Sequence, residues 1–132
     1  MPNRIGDARA QEGAYVWRKL LDTGAVIANG TDAPVESLDP IANFAAAVTR
    51  QLADGSQFYP AQRMTRLEAL KSATLDAAYA AFEERDKGSL SAGKLADIVE
   101  LSHDILEVPE AEIGNARVDL TLIGGEDAFR RE

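Results

Sequence analysis

Hydrophobic positions first follow a helical period between residues 14 and 22. Four apolar side chains share one face of this segment: Val16, Trp17, Leu20 and Leu21. Their spacing predicts a helix that Gly24 ends. An apolar run without polar alternation follows at 25–29 and is typical of a strand buried on both faces, as in a parallel sheet. A helix followed by such a strand is half of a βα repeat, whereas the polar stretch 4–12 before it predicts a loop.

Two later helices begin at capping residues. Asp39 can accept hydrogen bonds from the free amides at the start of a helix. Pro40 suits the first helical position, because an amide there would have no partner within the helix. One apolar stripe follows it and is predicted to face inward: Ile41, Phe44, Ala45, Val48 and Leu52. Thr65 and Glu68 form a capping box, with Met64 placed to contact Ala69. The predicted inward side chains of that helix are Leu67, Leu70, Ala73 and Thr74, and Asp76 is expected to cap a further helical turn over 77–82.

The pattern changes from helix to strand after residue 86. Apolar runs at 95–101 and 118–122 predict strands, and the second alternates cleanly with polar residues. Gly124-Gly125 is typical of a two-residue hairpin turn, so a return strand is expected over 126–130. A short helical turn is predicted at 108–113, and Asp97 is expected to bond backbone at a strand edge. The predicted division is therefore 1–86 and 87–132.

Composition and charge exclude several classes of protein. The 132 residues are 45% hydrophobic, which indicates a globular domain or part of one. The net charge of −8 argues against a nucleic-acid partner, because binding to phosphates requires clustered lysine and arginine. The absence of cysteine excludes disulfides and thiolate metal sites. No apolar stretch approaches the ~18–20 residues of a membrane span, and the polar residues 1–7 do not resemble a secretory signal, so no membrane partner and a cytoplasmic location are predicted.

The most informative polar residue is Asp32. It follows the apolar run 25–29 within the turn Thr31-Asp32-Ala33-Pro34. A carboxylate at the C-terminal end of a buried strand is a typical catalytic position in α/β barrels. The competing interpretation is a turn former, because aspartate side chains bond nearby amides. The one histidine, His103, is predicted to be an exposed loop residue.

Three segments together resemble the C-terminal third of metal-dependent amidohydrolases, and the closest type is the subfamily similar to N-substituted formamide deformylase. They are Ala28-Asn29-Gly30-Thr31-Asp32-Ala33-Pro34-Val35-Glu36 with Asp39-Pro40, residues 68–74 with Ala77-Ala78-Tyr79-Ala80, and Lys87-Gly88-Ser89-Leu90-Ser91-Ala92-Gly93-Lys94-Leu95-Ala96-Asp97-Ile98-Val99. The resemblance implies an α/β fold: the last βα units of a (β/α)8 TIM-like barrel in 1–86, followed by the C-terminal strands of a composite β-sandwich in 87–132. The run 25–29 would be the eighth barrel strand. Glu100 and the weak final strand 126–130 depart from the family pattern.

The resemblance also implies a site. Asp32 would be the metal-site carboxylate and the proton shuttle, and Gly30 and Thr31 would contact substrate beside it. The cofactor of the complete enzyme would be a divalent metal, zinc by resemblance, but the family's histidine ligands lie in earlier strands that this chain lacks. Catalytic zinc takes about three protein ligands. The 132-residue chain alone is therefore predicted to be inactive and to bind no metal tightly.

Three hypotheses about function remain open from the sequence. The chain is a fragment of a hydrolase acting on non-peptide carbon–nitrogen bonds of a small-molecule substrate, a non-catalytic assembly subunit or relic that pairs with a separate N-terminal barrel chain, or a stand-alone α+β domain. The expected partner is the missing N-terminal barrel portion or subunit, and a homo-oligomer is also compatible. An Asp32 side chain in bulk solvent, with no sheet behind it, would overturn the hypothesis of enzyme ancestry.

Overall fold

A computed structural model describes the backbone of residues 2–132 and the side chains of residues 4–132. In this part of the chain, six α-helices precede three strands. The helices are α1 (Pro2–Ile5), α2 (Asp7–Gly13), α3 (Trp17–Asp22), α4 (Pro40–Thr49), α5 (Arg66–Ala73) and α6 (Leu75–Ala80). The strands are β1 (Ile98–Leu101), β2 (Val118–Ile123) and β3 (Glu126–Arg130), and two 3-10 turns cover Pro60–Gln62 and Glu110–Asn115. Within these described residues, no helix has the length and apolar character needed to cross a membrane.

The first helices differ from the predicted boundaries. The predicted loop at 4–12 is wrong, since α1 and α2 occupy this stretch and meet at Gly6, whose φ is 82°. The helix expected from residue 14 begins at Trp17, because Tyr15 takes a left-handed backbone with φ 54° that interrupts the helix. Its predicted end is confirmed, as Gly24 has φ 84° and its amide donates to the Leu21 carbonyl at 2.8 Å.

Helix α4 begins as its capping sequence predicts. Asp39 Oδ1 accepts hydrogen bonds from the Ile41 amide at 2.9 Å and the Ala42 amide at 3.3 Å. The helix ends at Thr49 because Arg50 is left-handed, with φ 57°. Leu52 therefore lies beyond the apolar stripe and is 47% exposed, so its predicted inward position is wrong.

The capping box of α5 forms in full. Thr65 Oγ1 accepts from the Glu68 amide at 3.2 Å, and the Thr65 amide donates to Glu68 Oε2 at 2.7 Å. Met64 and Ala69 are both buried in the same core, in agreement with their predicted contact. The predicted inward face is mostly wrong: Leu67 is 68% exposed, and Ala73 and Thr74 are also exposed.

Helix α5 instead turns its smaller residues to the core. Ala69 and Ser72 are buried, and they lie three residues apart on one helix face. Asp76, predicted to cap a new turn, is the second residue of α6, where it is buried and pairs with Lys71. The helix ends at Ala80 rather than Phe82, which is left-handed with φ 61°.

The hydrophobic core joins the helices to the segment between β1 and β2. Its fully or nearly buried members are Phe44, Ala47, Val48, Met64, Ala69, Ile105, Ile113 and Ala116. Ile113, in the second 3-10 turn, is 0% exposed. Residues from before and after position 86 therefore share one core.

The three strands form an antiparallel sheet in the order β1-β2-β3. The predicted hairpin is confirmed, since Gly124 and Gly125 have φ 60° and 88° between β2 and β3. The first strand is shorter than predicted because only 98–101 pair with β2. One cross-strand row joins Val99, Thr121 and Phe129. Val99 is 56% exposed and Phe129 is 49% exposed, so this face of the sheet is largely uncovered.

The glycine-containing segment before β1 is held by a lysine and an aspartate. Lys94 Nζ donates to the carbonyls of Glu84 at 2.6 Å and Lys87 at 3.2 Å, and to Ser89 Oγ at 2.7 Å. Asp97 Oδ1 accepts from the Gly124 amide at 2.8 Å, in agreement with the predicted backbone bond. The chemistry of this segment is therefore structural, because its polar side chains close a loop and attach it to the hairpin.

Candidate functional site

The segment leading to Asp32 is not a strand. Residues 25–29 form no strand, Val26 is 50% exposed, and Ile27 packs half-buried against the core. The predicted buried strand is wrong for this chain because a strand requires a hydrogen-bonded neighbour. Within residues 2–132, no neighbouring strand pairs with this segment.

Asn29 attaches this segment to two helices. Its amide donates to the Ser72 carbonyl of α5 at 2.9 Å. Its side-chain oxygen accepts from Asn43 Nδ2 of α4 at 3.3 Å. These two hydrogen bonds hold the chain three residues before Asp32. They do so in the absence of the neighbouring strand that was expected to hold it.

Asp32 itself lies at an exposed turn. Its backbone is left-handed, with φ 54°, its carbonyl accepts from the Val35 amide at 2.8 Å, and a cis Ala33–Pro34 bond follows. Its carboxylate makes no hydrogen bond or ion pair with residues 4–132. Gly30 is exposed and Thr31 is half-buried beside it. The barrel-mouth position expected for Asp32 is therefore not formed by this chain, and the exposed carboxylate by itself gives no support to enzyme ancestry.

The described residues do not form a metal site. No group of three or more histidine, aspartate or glutamate side chains in residues 4–132 is arranged to hold an ion. His103 is exposed, as predicted, and its Nδ1 lies 2.8 Å from Ser102 Oγ. Because catalytic zinc takes about three protein ligands, Asp32 alone does not fit this cofactor.

Arg50 is a buried cation that the sequence did not single out. It is 7% exposed, its Nε donates to the Phe58 carbonyl at 2.9 Å, and its guanidinium carbon lies 5.2 Å from the centre of the Phe58 ring. Its Nη2 has no partner among the described residues, and burial lowers the pKa of the guanidinium. Arginine directly after a helix resembles an ordinary surface residue, so no sequence signal marked its burial.

A bidentate ion pair joins α3 to α5. Arg18 donates both terminal nitrogens to the carboxylate of Glu68, with Nη1 at 2.9 Å from Oε1. This guanidinium, together with the hydrogen bonds from Thr65, lowers the pKa of Glu68 from 4.5 to about 2. Glu68 thus caps its own helix, α5, and holds α3 through Arg18 at the same time.

Replacing Glu68 with glutamine is expected to lower the free energy of unfolding at pH 7 by about 1–2 kcal/mol. At ~1.36 kcal/mol per pKa unit, the full shift would correspond to a larger loss of free energy than this. The expected loss is smaller because the Glu68 side chain is 30% exposed and solvent screens the ion pair. Because the folded pKa is lowered, this stabilisation is complete above pH 4.5 and disappears as the pH falls towards 2. Urea unfolding at several pH values measures it.

The matched control for this change is Glu112→Gln, an exposed glutamate without an ion pair among residues 4–132. The control is expected to leave the unfolding free energy within about 0.5 kcal/mol at every pH. Wild type and Glu68→Gln should differ less in unfolding free energy at pH 3 than at pH 7. A difference that stayed constant over this range would contradict the link between the Glu68 pKa and stability.

A sequence profile described as "Amidohydrolase family" matches residues 1–129 of the chain. Protein LONG AFTER FAR-RED 3 of Arabidopsis thaliana is 34% identical over 127 residues, covering 96% of this chain and 22% of that protein. The N-substituted formamide deformylase of Arthrobacter pascens is 28% identical over 114 residues, covering 86% of this chain and 21% of the enzyme.

Two solved structures share the fold of the chain. An amidohydrolase from Thermotoga maritima matches with a TM-score of 0.69 and 25% identity, over 89% of this chain and 26% of that one. An uncharacterized metal-dependent hydrolase from Pyrococcus furiosus matches with a TM-score of 0.58 and 34% identity, over 70% and 18%. The chain thus spans about a quarter or less of the length of these relatives. The exposed Asp32 gave no support to enzyme ancestry, but the family profile matches residues 1–129. On the evidence of this match, the chain belongs to the amidohydrolase family.

Proposed function

We propose that this chain is the C-terminal part of a metal-dependent hydrolase that acts on non-peptide carbon–nitrogen bonds of amide or formamide type. The profile match over residues 1–129 carries this proposal. The similarity to N-substituted formamide deformylase favours a formamide or a related amide as the small-molecule substrate.

Asp32 is the proposed catalytic residue. Its carboxylate would accept the proton of the water that attacks the substrate carbonyl, and would return that proton to the nitrogen as the carbon–nitrogen bond breaks. Its exposure and lack of hydrogen bonds in residues 4–132 leave both oxygens available for this role. Gly30 and Thr31, which precede it in the same turn, are proposed to contact the substrate.

The metal of the complete enzyme is proposed to be divalent, and zinc by resemblance. When bound, such an ion lowers the pKa of its water ligand to about 7. Asp32 would supply one ligand, and the other ligands would come from residues outside this chain. The 132-residue chain alone is therefore proposed to be inactive.

The partner is proposed to be the N-terminal barrel portion of the enzyme, in the same polypeptide or in a separate subunit. Around Asp32, Val26 is 50% exposed, Val35 is 73% exposed and Leu38 is 79% exposed. Large apolar side chains exposed in this way are candidates for cover by a partner. A barrel portion that paired with 25–29 would cover Val26 and supply the neighbouring strand that this segment lacks.

A chimeric enzyme tests the proposal. The matching 21% of the Arthrobacter pascens enzyme is replaced by this chain, and hydrolysis of an N-substituted formamide is measured with added Zn²⁺. Turnover by the chimera, with none by the purified 132-residue chain, is the expected result. A folded chimera with no turnover would count against the proposed function, and turnover by the isolated chain would overturn its proposed inactivity.

A further inference from the structure

An open cavity of about 460 Å³ lies between α3, α4 and the segment that leads into α5. Its apolar lining includes Val48, Ala61 and Met64. Its volume falls within the ~300–1,000 Å³ typical of small-molecule sites. The cavity is separate from the turn that carries Asp32, which does not line it.

Three arginines converge on this cavity, although the chain as a whole carries a charge of −8. Arg18 is neutralised by Glu68, to which it gives both terminal nitrogens. Arg66 donates Nη1 to the Ile105 carbonyl at 3.0 Å and pairs with no carboxylate among residues 4–132. Its charge therefore has no acidic partner among these residues.

The third arginine, Arg63, has a distant acidic partner. Its Nη1 lies 3.6 Å from Glu110 Oε1, which is longer than a hydrogen bond, and both side chains are about half exposed. Pairs of this kind contribute little free energy because water screens them. Arg63 can therefore exchange Glu110 for another carboxylate without a large loss.

We propose that this cavity binds a small organic carboxylate that has an apolar body. The carboxylate would lie between Arg63 and Arg66, since the planar guanidinium group matches the geometry of a carboxylate. The apolar body would lie against the exposed Pro60 and Ala61. This inference is independent of Asp32 and of the proposed hydrolase activity.

Glu110 would compete with the ligand for Arg63, so two substitutions have opposite expected effects. Arg63→Met removes a ligand contact and is expected to weaken binding by about tenfold. Glu110→Gln removes the competing carboxylate and is expected to tighten binding by roughly two- to fivefold. Glu112→Gln, an exposed neighbour outside the cavity lining, is the matched control and is expected to change nothing.

The experiment titrates the 132-residue chain with benzoate, and with benzamide as the uncharged analogue of the same shape. Trp17, the single tryptophan, precedes Arg18 in the chain and serves as the fluorescence reporter, while the thermal midpoint gives a second readout. Saturable binding of benzoate but not of benzamide, with the two opposite changes in affinity, supports the site.

Equal responses to benzoate and benzamide in the wild type would overturn the proposal, and this comparison needs no variant to fold. Unchanged benzoate affinity in a folded Arg63→Met variant would also overturn it. Glu110→Gln replaces an exposed rim residue, so its failure to tighten binding relative to Glu112→Gln would likewise contradict the assigned geometry.

Discussion

Replacing Gly88 with alanine is expected to lower the free energy of unfolding by about 3–5 kcal/mol, because the change combines overpacking with backbone strain. A Cβ atom at this position would lie 2.8 Å from Ala78 Cβ and 2.9 Å from the Leu75 Cα. The backbone at Gly88 is also left-handed, with φ 86°. A loss of this size is a large fraction of the ~5–15 kcal/mol that stabilises a typical domain.

Gly93→Ala separates the two causes. Gly93 has a similar φ of 91°, but a Cβ atom there meets nothing within 4 Å. The control is therefore expected to cost only the conformational part, about 1–2 kcal/mol. Urea unfolding followed by circular dichroism measures both variants. Equal losses would show that the loop can withdraw from α6, and the close approach at Gly88 would then not be required.

Replacing Asp32 with asparagine in the chimeric enzyme is expected to reduce kcat by about 10²–10⁴-fold, the range that a positioned acid–base group contributes. Asparagine has the same shape but cannot accept the proton of the attacking water. Since asparagine also tolerates a left-handed backbone, the turn at φ 54° should be retained. Steady-state kinetics at saturating substrate measures the effect.

Asp39→Asn is the matched control for Asp32→Asn. Asp39 caps α4, and asparagine caps a helix about as well as aspartate, so activity should be retained. If Asp32→Asn kept the kcat of the parent chimera, Asp32 would be a turn former only. The proposed proton transfer would then have to be assigned to another residue.

The parts of the fold that were predicted from sequence depend on short-range contacts. Asp39, the box formed by Thr65 and Glu68, and Gly124 act within four residues of their own position. Their local chemistry determines where an element begins or ends, whatever else is packed nearby. The starts of α4 and α5 and the β-hairpin were therefore confirmed.

The failures concern contacts whose partners lie elsewhere. A strand at 25–29 needs a neighbouring strand, and residues 2–132 supply none. Leu67 follows the apolar period of α5, but the elements that pack on this helix contact Ala69 and Ser72 instead. Periodicity identifies an apolar face without stating whether the described chain contains anything to cover it.

The candidate site was predicted only as a position in the sequence. The resemblance selected Asp32 as a catalytic residue, whereas its exposed turn and left-handed backbone agree with the competing interpretation as a turn former. The arginine-lined cavity was also missed, because Arg18 is distant in sequence from Arg63 and Arg66 and meets them only through the packing of α3 against α5 and the segment before it. Charge clusters built from separate elements cannot be counted along the sequence.

The outer edge of β3 pairs with no strand in residues 2–132, since β3 is the last strand of the sheet. Free amides and carbonyls along such an edge can add a strand from another molecule and so start a fibril. Here Asp127 and Arg130 flank Phe129 and pair with each other at 2.8 Å. These two charged side chains oppose the addition of a further strand at this edge. If both were replaced by apolar residues, the exposed Phe129 would favour amyloid-like stacking of strands on β3.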